Sequence, residues 1–142
     1  MADTLTHHAE NLWLAVEPSL PGFTVEVLPS IDSTSSELMR RARSGLMEPV
    51  LLAAEDQTAG RGRLGKGWHS KPGQSLTFSL AMPLAPQNWS GLSLAVGVSL
   101  AHSLHPDVRL KWPNDLWLHQ RKIGGILVET ASTGEAGQGQ RM

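Results

Sequence analysis

The sequence contains no cysteine. Disulfides, cysteine-ligated zinc, iron–sulfur clusters and thiol nucleophiles are therefore excluded. It also lacks an excess of either charge: 12 Lys+Arg stand against 13 Asp+Glu, a formal net charge of -1. That balance argues against a generally basic nucleic-acid binder, though not against a local basic patch. No apolar run reaches the ~18 residues of a membrane span. The longest, residues 92–104, is interrupted by Ser93, Ser99 and His102. The first ten residues lack the basic and apolar regions of a signal peptide. Together these absences lead to the expectation of a soluble, cytoplasmic protein with no membrane attachment.

What is present is an ordinary globular composition, 40% apolar and 18% charged over 142 residues. That length predicts one domain. Residues 1–22 read as a loose lead-in. Residues 11–16 form a short helix there, ended by Pro18, Pro21 and Gly22. A short strand is expected at 24–28. A helix is expected at 31–45, started by a capping box of Thr34 and Glu37 and stopped by Gly45. Residues 50–55 read as a buried strand and 56–73 as a long loop. In 74–82, Leu76, Phe78, Leu80 and Met82 alternate with Ser75, Thr77, Ser79 and Ala81, the pattern of a half-buried strand. An apolar, buried helix follows at 90–105, then a strand at 108–112. A β-hairpin turns at His119-Gln120-Arg121, and residues 132–142 read as a flexible tail. Strands, two main helices and a hairpin predict an α/β (α+β) fold, a mixed sheet flanked by helices.

The most informative stretch is Gly60-Arg61-Gly62-Arg63-Leu64-Gly65-Lys66-Gly67-Trp68. Its glycines match two phosphate-binding patterns in outline. Neither context fits, because no helix can follow directly and Gly67 stands where a magnesium-binding Ser or Thr belongs. The physics of such a loop still holds. Glycines let backbone N–H groups approach an anion, and Arg61, Arg63 and Lys66 add positive charge. A solvated basic loop remains the alternative. Lys111-Trp112-Pro113-Asn114-Asp115 offers a cation for phosphate and a carboxylate for magnesium, or simply a strand end and a turn. Arg121-Lys122-Ile123-Gly124-Gly125 puts cations at the start of an apolar strand, whose glycines mark close approach or a plain hairpin. His102 and His105 share a helix face, but no third ligand is spaced to join them.

Taken together these segments resemble the biotin protein ligases. The resemblance rests on Asp32-Ser33-Thr34-Ser35, Gln57-Thr58-Ala59-Gly60-Arg61-Gly62-Arg63, Trp68, Lys111 to Asp115 and Arg121 to Leu127, in the family's order. It implies a catalytic core related to the class II aminoacyl-tRNA synthetases. It also implies an ATP- and Mg²⁺-dependent ligase that modifies protein. Biotin is activated to biotinyl-5′-AMP, then passed to a lysine of a carboxylase's biotin carboxyl-carrier domain. By this resemblance Ser33, Thr34, Ser35, Gln57, Arg61, Gly62, Arg63 and Lys122 are biotin-site residues. Arg63, Lys111 and Lys122 are the catalytic candidates, with Arg63 retaining the intermediate. Lys111, Asn114 and Asp115 are nucleotide- and Mg²⁺-linked, with no direct protein metal cluster. Trp68 packs beneath the loop.

The sequence departs from the family's pattern at Ser35, often Asn, and at Lys66, often Arg. The resemblance further implies an incomplete core over 23–131. The family continues past the strand at 126–129 into another core strand, adenine-site residues and a small β-domain. Residues 1–22 leave no room for the winged helix of the repressor members, so no sequence-specific DNA binding is expected. A homodimer is compatible with the family. The competing expectations are a lipoate or octanoate ligase or transferase of the same superfamily, a truncated biotin-binding module, and a basic-loop RNA binder. The last is disfavoured by the net charge and by the absence of aromatics in 60–67.

Overall fold

The computed structural model describes residues 2–132. All of the expected tail except Ser132 lies outside the described residues. Within them the chain forms two compact units. One comprises residues 2–61, 65–85 and 129–132, and the other residues 62–64 and 86–128.

The first unit opens with helix α1, Ala2–Val16, and strand β1, Thr24–Ile31. Helix α1 is longer than the expected 11–16. Leu5, Ala9, Leu12 and Val16 fall at helical spacing, but they form a stripe one residue wide, too thin to read as an amphipathic face. The Trp13 indole N–H donates to Phe23 O at 2.9 Å and ties α1 to the start of β1. Helix α2, Thr34–Arg43, then crosses to strand β2, Val50–Gln57, which pairs parallel with β1. Strand β5, Thr77–Ala81, pairs antiparallel with β2, giving the mixed sheet β1-β2-β5. The expected α/β class and mixed sheet are therefore found.

The expected capping box is corrected by one residue. Ser33 is the N-cap, its Oγ accepting from Ser36 N at 3.2 Å. Glu37 does not reach back to the cap. It accepts from Arg40 and Arg41 instead. The reason is tertiary: Thr34 Oγ1 lies 2.7 Å from Ser79 Oγ and 3.3 Å from Gln57 Oε1, so it is not available to its own helix. The stop at Gly45 is as expected. Gly45 sits at φ 97°, and its N–H and that of Leu46 donate to Ala42 O and Arg41 O, which closes the last turn.

Strand β5 buries the opposite face from the one its pattern suggests. Ala81 is buried and joins Leu38 and Leu52 in the core, while Leu76, Phe78 and Leu80 are exposed. Helix α2 packs on the face that carries Thr77, Ser79 and Ala81. Leu52, with no exposed surface, and Leu38 contribute about 1.5–3 kcal/mol each by burial.

Residues 56–73 are not all loop. Strands β3, Gly60–Arg61, and β4, Gly67–Trp68, form a small antiparallel ladder. Between them a 3₁₀ turn spans Arg63–Gly65.

The second unit packs helix α3, Leu92–Leu104, against the meander β6, Arg109–Lys111, β7, Asp115–Leu118, and β8, Arg121–Gly125. Ala101, Val108 and Leu116 are its core. Helix α3 is less buried than its composition suggests: only Gly97 and Ala101 are buried, and Val98 and Leu104 are exposed. The β7–β8 turn uses His119 and Gln120 at φ 48° and 65°, the left-handed pair that a two-residue hairpin requires.

Candidate functional site

Five of the expected site residues come together in the first unit, where β1 and β2 end and α2 begins. Asp32 closes β1, and Thr58 N and Ala59 N donate to Ile31 O and Asp32 O at 2.9 and 2.7 Å. These bonds lay the start of the glycine-rich loop beside the α2 N-terminus. There the helix dipole favours an acceptor or an anion. Thr34 N is satisfied by a side chain from β2, donating to Gln57 Oε1 at 2.9 Å. Thr34 is 2% exposed and Gln57 9%, so this bond forms in a nearly dry environment.

Gly60 makes the Gln57 geometry available. A Cβ at position 60 would lie 2.4 Å from Gln57 Nε2 and 2.5 Å from Trp68 O. Only glycine allows the loop, the Gln57 amide and the β4 carbonyl to meet there. Trp68 is half-buried and pairs with Gly60 across the β3–β4 ladder.

Arg61 extends over the same helix end. Its Nε donates to Ser36 Oγ at 2.8 Å and its Nη2 to Ser35 Oγ at 3.2 Å. Its two Nη atoms also form a fork on the Glu129 carboxylate at 3.0 and 2.7 Å. That carboxylate raises the Arg61 pKa further, so the guanidinium is permanently charged. Ser33 Oγ and Ser35 Oγ are 3.1 Å apart, and Ser33 is 1% exposed. Ser33 is thus a buried cap, and Ser35, half-buried, is the serine nearer solvent.

Asp32 flanks the group. Its carboxylate takes a two-pronged bond from Arg40 at 2.9 Å, which lowers its pKa from 3.8 to about 2.

The remaining site residues lie in the second unit. Arg63 opens the 3₁₀ turn and is exposed, and its side chain has no hydrogen bond or ion pair among the described residues. Gly62 precedes it and is half-buried. Lys122 Nζ is 3.0 Å from Asp115 Oδ1. Lys111 Nζ stands 4.6 Å from the centroid of the Trp117 ring, a cation–π contact. Lys111 and Asp115 are register partners on β6 and β7, and a bulge after Leu116 sets Lys122 opposite Trp117. Two ammonium groups, one carboxylate and one indole therefore share this sheet. Asn114 is committed to the backbone, since its Nδ2 donates to Ile126 O at 2.8 Å and its own carbonyl accepts from Ile126 N at 2.9 Å. Among the described residues no three acidic or histidine side chains form a metal-holding group, and His102 and His105 make none. No helix among them is long and apolar enough to cross a membrane.

The sequence reading missed Glu129, Ser36, Ser79 and Trp117. Glu129 carried one signal, a carboxylate closing the apolar run 126–128 in a chain whose glycine-rich loop is basic.

Bifunctional ligase/repressor BirA of Escherichia coli K12 is 45% identical over 126 residues, covering 84% of this chain and 39% of that protein. The biotin--[acetyl-CoA-carboxylase] ligase of Mycobacterium tuberculosis is 37% identical over 118 residues, covering 75% and 44%. The chain thus spans about two fifths of the length of these relatives. Among solved structures, the Helicobacter pylori biotin acetyl coenzyme A carboxylase synthetase with bound biotinylated ATP superimposes with a TM-score of 0.67. Its identity is 31%, covering 82% of this chain and 57% of that one. The Aquifex aeolicus biotin protein ligase in complex with biotin and ATP gives a TM-score of 0.63 at 30% identity, covering 82% and 48%. Residues 27–140 match the Biotin/lipoate A/B protein ligase family, and the chain belongs to that family.

Proposed function

We propose that this chain carries the biotin-activating chemistry of a biotin--protein ligase. The observation that carries the reading is the convergence of Ser33, Thr34, Ser35, Gln57 and Arg61 on the N-terminus of α2. Hydroxyls, an amide and a helix end can together bind a small uncharged ring with a polarised carbonyl, the character of biotin's ureido group. Relatives named for biotin ligation, and solved structures holding biotin, ATP or both, support biotin over lipoate.

The reaction needs no nucleophilic side chain. The biotin carboxylate attacks the α-phosphorus of ATP and pyrophosphate leaves, giving biotinyl-5′-AMP. A lysine amine of a biotin carboxyl-carrier domain then attacks the acyl carbon, loses a proton, and AMP leaves. The protein's work is positioning and charge stabilisation. Lys122 is assigned to the biotin carboxylate and the adenylate, and Lys111 to the nucleotide phosphates. Arg63, exposed and without a partner among the described residues, is assigned to retaining the intermediate. Asp115, whose carboxylate lies beside Lys122 Nζ, would help hold a Mg²⁺ ion, and that ion would supply charge neutralisation on the phosphates. Consumption of ATP and biotin fits a cytoplasmic setting.

The test incubates the purified chain with biotin and Mg-ATP, with lipoate in parallel. Biotin-dependent pyrophosphate and biotinyl-AMP by mass spectrometry are expected. A lipoyl adenylate in place of the biotinyl one would transfer the assignment to the lipoate branch. Biotin binding without either product would reduce the chain to a binding module.

A further inference from the structure

We propose that Glu129 is a positioning residue of the biotin site: by clamping Arg61 it fixes Ser35 as a hydrogen-bond donor, so that this corner selects a ligand acceptor oxygen. The inference rests on the biotin-site reading above and deepens it.

The argument is one of proton counting. A guanidinium has only donors, so Ser35 Oγ and Ser36 Oγ must both accept from Arg61. Ser33 Oγ accepts from Ser36 N. One hydroxyl proton then joins Ser33 and Ser35 across 3.1 Å. If Ser35 supplied it, the Ser33 proton would be left buried and unpartnered, which costs about 1–3 kcal/mol. If Ser33 supplies it, every group in the buried part is satisfied. Ser35 Oγ then has both lone pairs occupied, one by Arg61 and one by Ser33, and its own proton is free to donate outward. Ser35 is half-buried, so that proton faces a place a ligand can reach.

The polarity depends on Arg61 staying where it is. Serine hydroxyls alone would not hold a mobile arginine, whose side chain has about 2 kcal/mol of rotamer entropy to lose. The bidentate fork on Glu129, at 2.7 and 3.0 Å, fixes the guanidinium plane. The Glu129 side chain is 28% exposed and that of Arg61 37%, so water weakens the fork only in part.

The experiment uses the full chain, with biotin and 2-iminobiotin as probes. At neutral pH the protonated guanidinium of iminobiotin presents donors where biotin presents a carbonyl oxygen. Glu129→Ala and Ser35→Ala should each weaken biotin by about 3- to 10-fold, the value of one hydrogen bond. Ser35→Ala, which changes no charge, should leave iminobiotin nearly unchanged, and for biotin the double variant should be no worse than either single one. Glu129→Gln, which keeps the shape and one acceptor, should fall between wild type and Glu129→Ala. A readout independent of ligand is the Arg61 Nε–H resonance. It should be protected from solvent exchange in the wild type and lose that protection in Glu129→Ala, with circular dichroism confirming an intact fold. Unchanged protection in Glu129→Ala, or an equal loss for both ligands in Ser35→Ala, would overturn the proposal. If the wild type binds no biotin while Glu129 still protects the Arg61 proton, the biotin-site reading fails and the donor role fails with it.

Discussion

Gly60 and Asp32 illustrate how single residues set the first unit's site. A Cβ at 60 would collide with the Gln57 amide, which can move, and with the Trp68 carbonyl, which is backbone and cannot. Gly60→Ala should therefore destabilise the chain by about 1–3 kcal/mol and release Gln57 from Thr34. Urea unfolding checks this, and an unchanged midpoint would refute it. Asp32 is one acid-sensitive group, as is Glu37, whose pKa Arg41 lowers. The Asp32 carboxyl titrates near 2 in the folded chain, against an ordinary 3.8, because Arg40 bonds the charged form. A folded-state pKa below the unfolded one gives stability that is present above about pH 4 and is lost as pH falls towards 2. The pair is about half exposed, so screening keeps the effect small. Asp32→Asn should make the acid limb of stability between pH 4 and 2 slightly shallower, as read by urea midpoints at each pH. These residue types were legible in the sequence as motif members, because glycine, aspartate and arginine have few other uses at such density. Glu129 was not, since a carboxylate in the irregular stretch after β8 has no local feature that names its partner, 68 residues away.

At the scale of elements, α2 and α3 make opposite points. Helix α2 was read as a capped helix, and its end at Gly45 follows from local backbone chemistry. Its start moved to Ser33 because Ser79 and Gln57 use the Thr34 hydroxyl, a contact no local rule contains. Ser33→Ala removes the cap and should lower stability by about 0.5–2 kcal/mol, visible as a lower melting temperature. In α3, a Cβ at Gly97 would meet Leu110 Cδ2 at 2.8 Å and Ile126 Cδ1 at 3.4 Å. Both are side-chain ends. For Gly97→Ala, a helix-propensity gain of about 1 kcal/mol offsets the crowding and the change should be near neutral. Gly97→Val adds branched methyls and loses most of the gain, so it should destabilise by about 1–3 kcal/mol. Equal melting temperatures for the two variants would contradict this account. Strand β5 was found by its alternation, but its buried face was misread. Alternation states that two faces differ and not which one a helix will cover.

For the whole molecule, ligand binding should appear as stability. A ligand that binds only the folded chain, at 100 times its dissociation constant, adds about 2.7 kcal/mol. Biotin should raise the melting temperature accordingly and lipoate should not. A shift with lipoate alone would reverse the assignment of ligand class. The α/β class, the order of most elements, the basic glycine-rich loop and the family follow from the chain's own residues, because hydrophobic period, turn residues and motif spacing are local properties. Contacts made in space decide instead that Gln57 accepts from Thr34 N, that β5 turns its small residues inward and that Glu129 clamps Arg61. Each of these depends on atoms distant in sequence that come within bonding distance only when α2 packs on its sheet and the loop returns over it. Hydrogen bonding and close packing act over a few ångströms of space, whatever the separation along the chain.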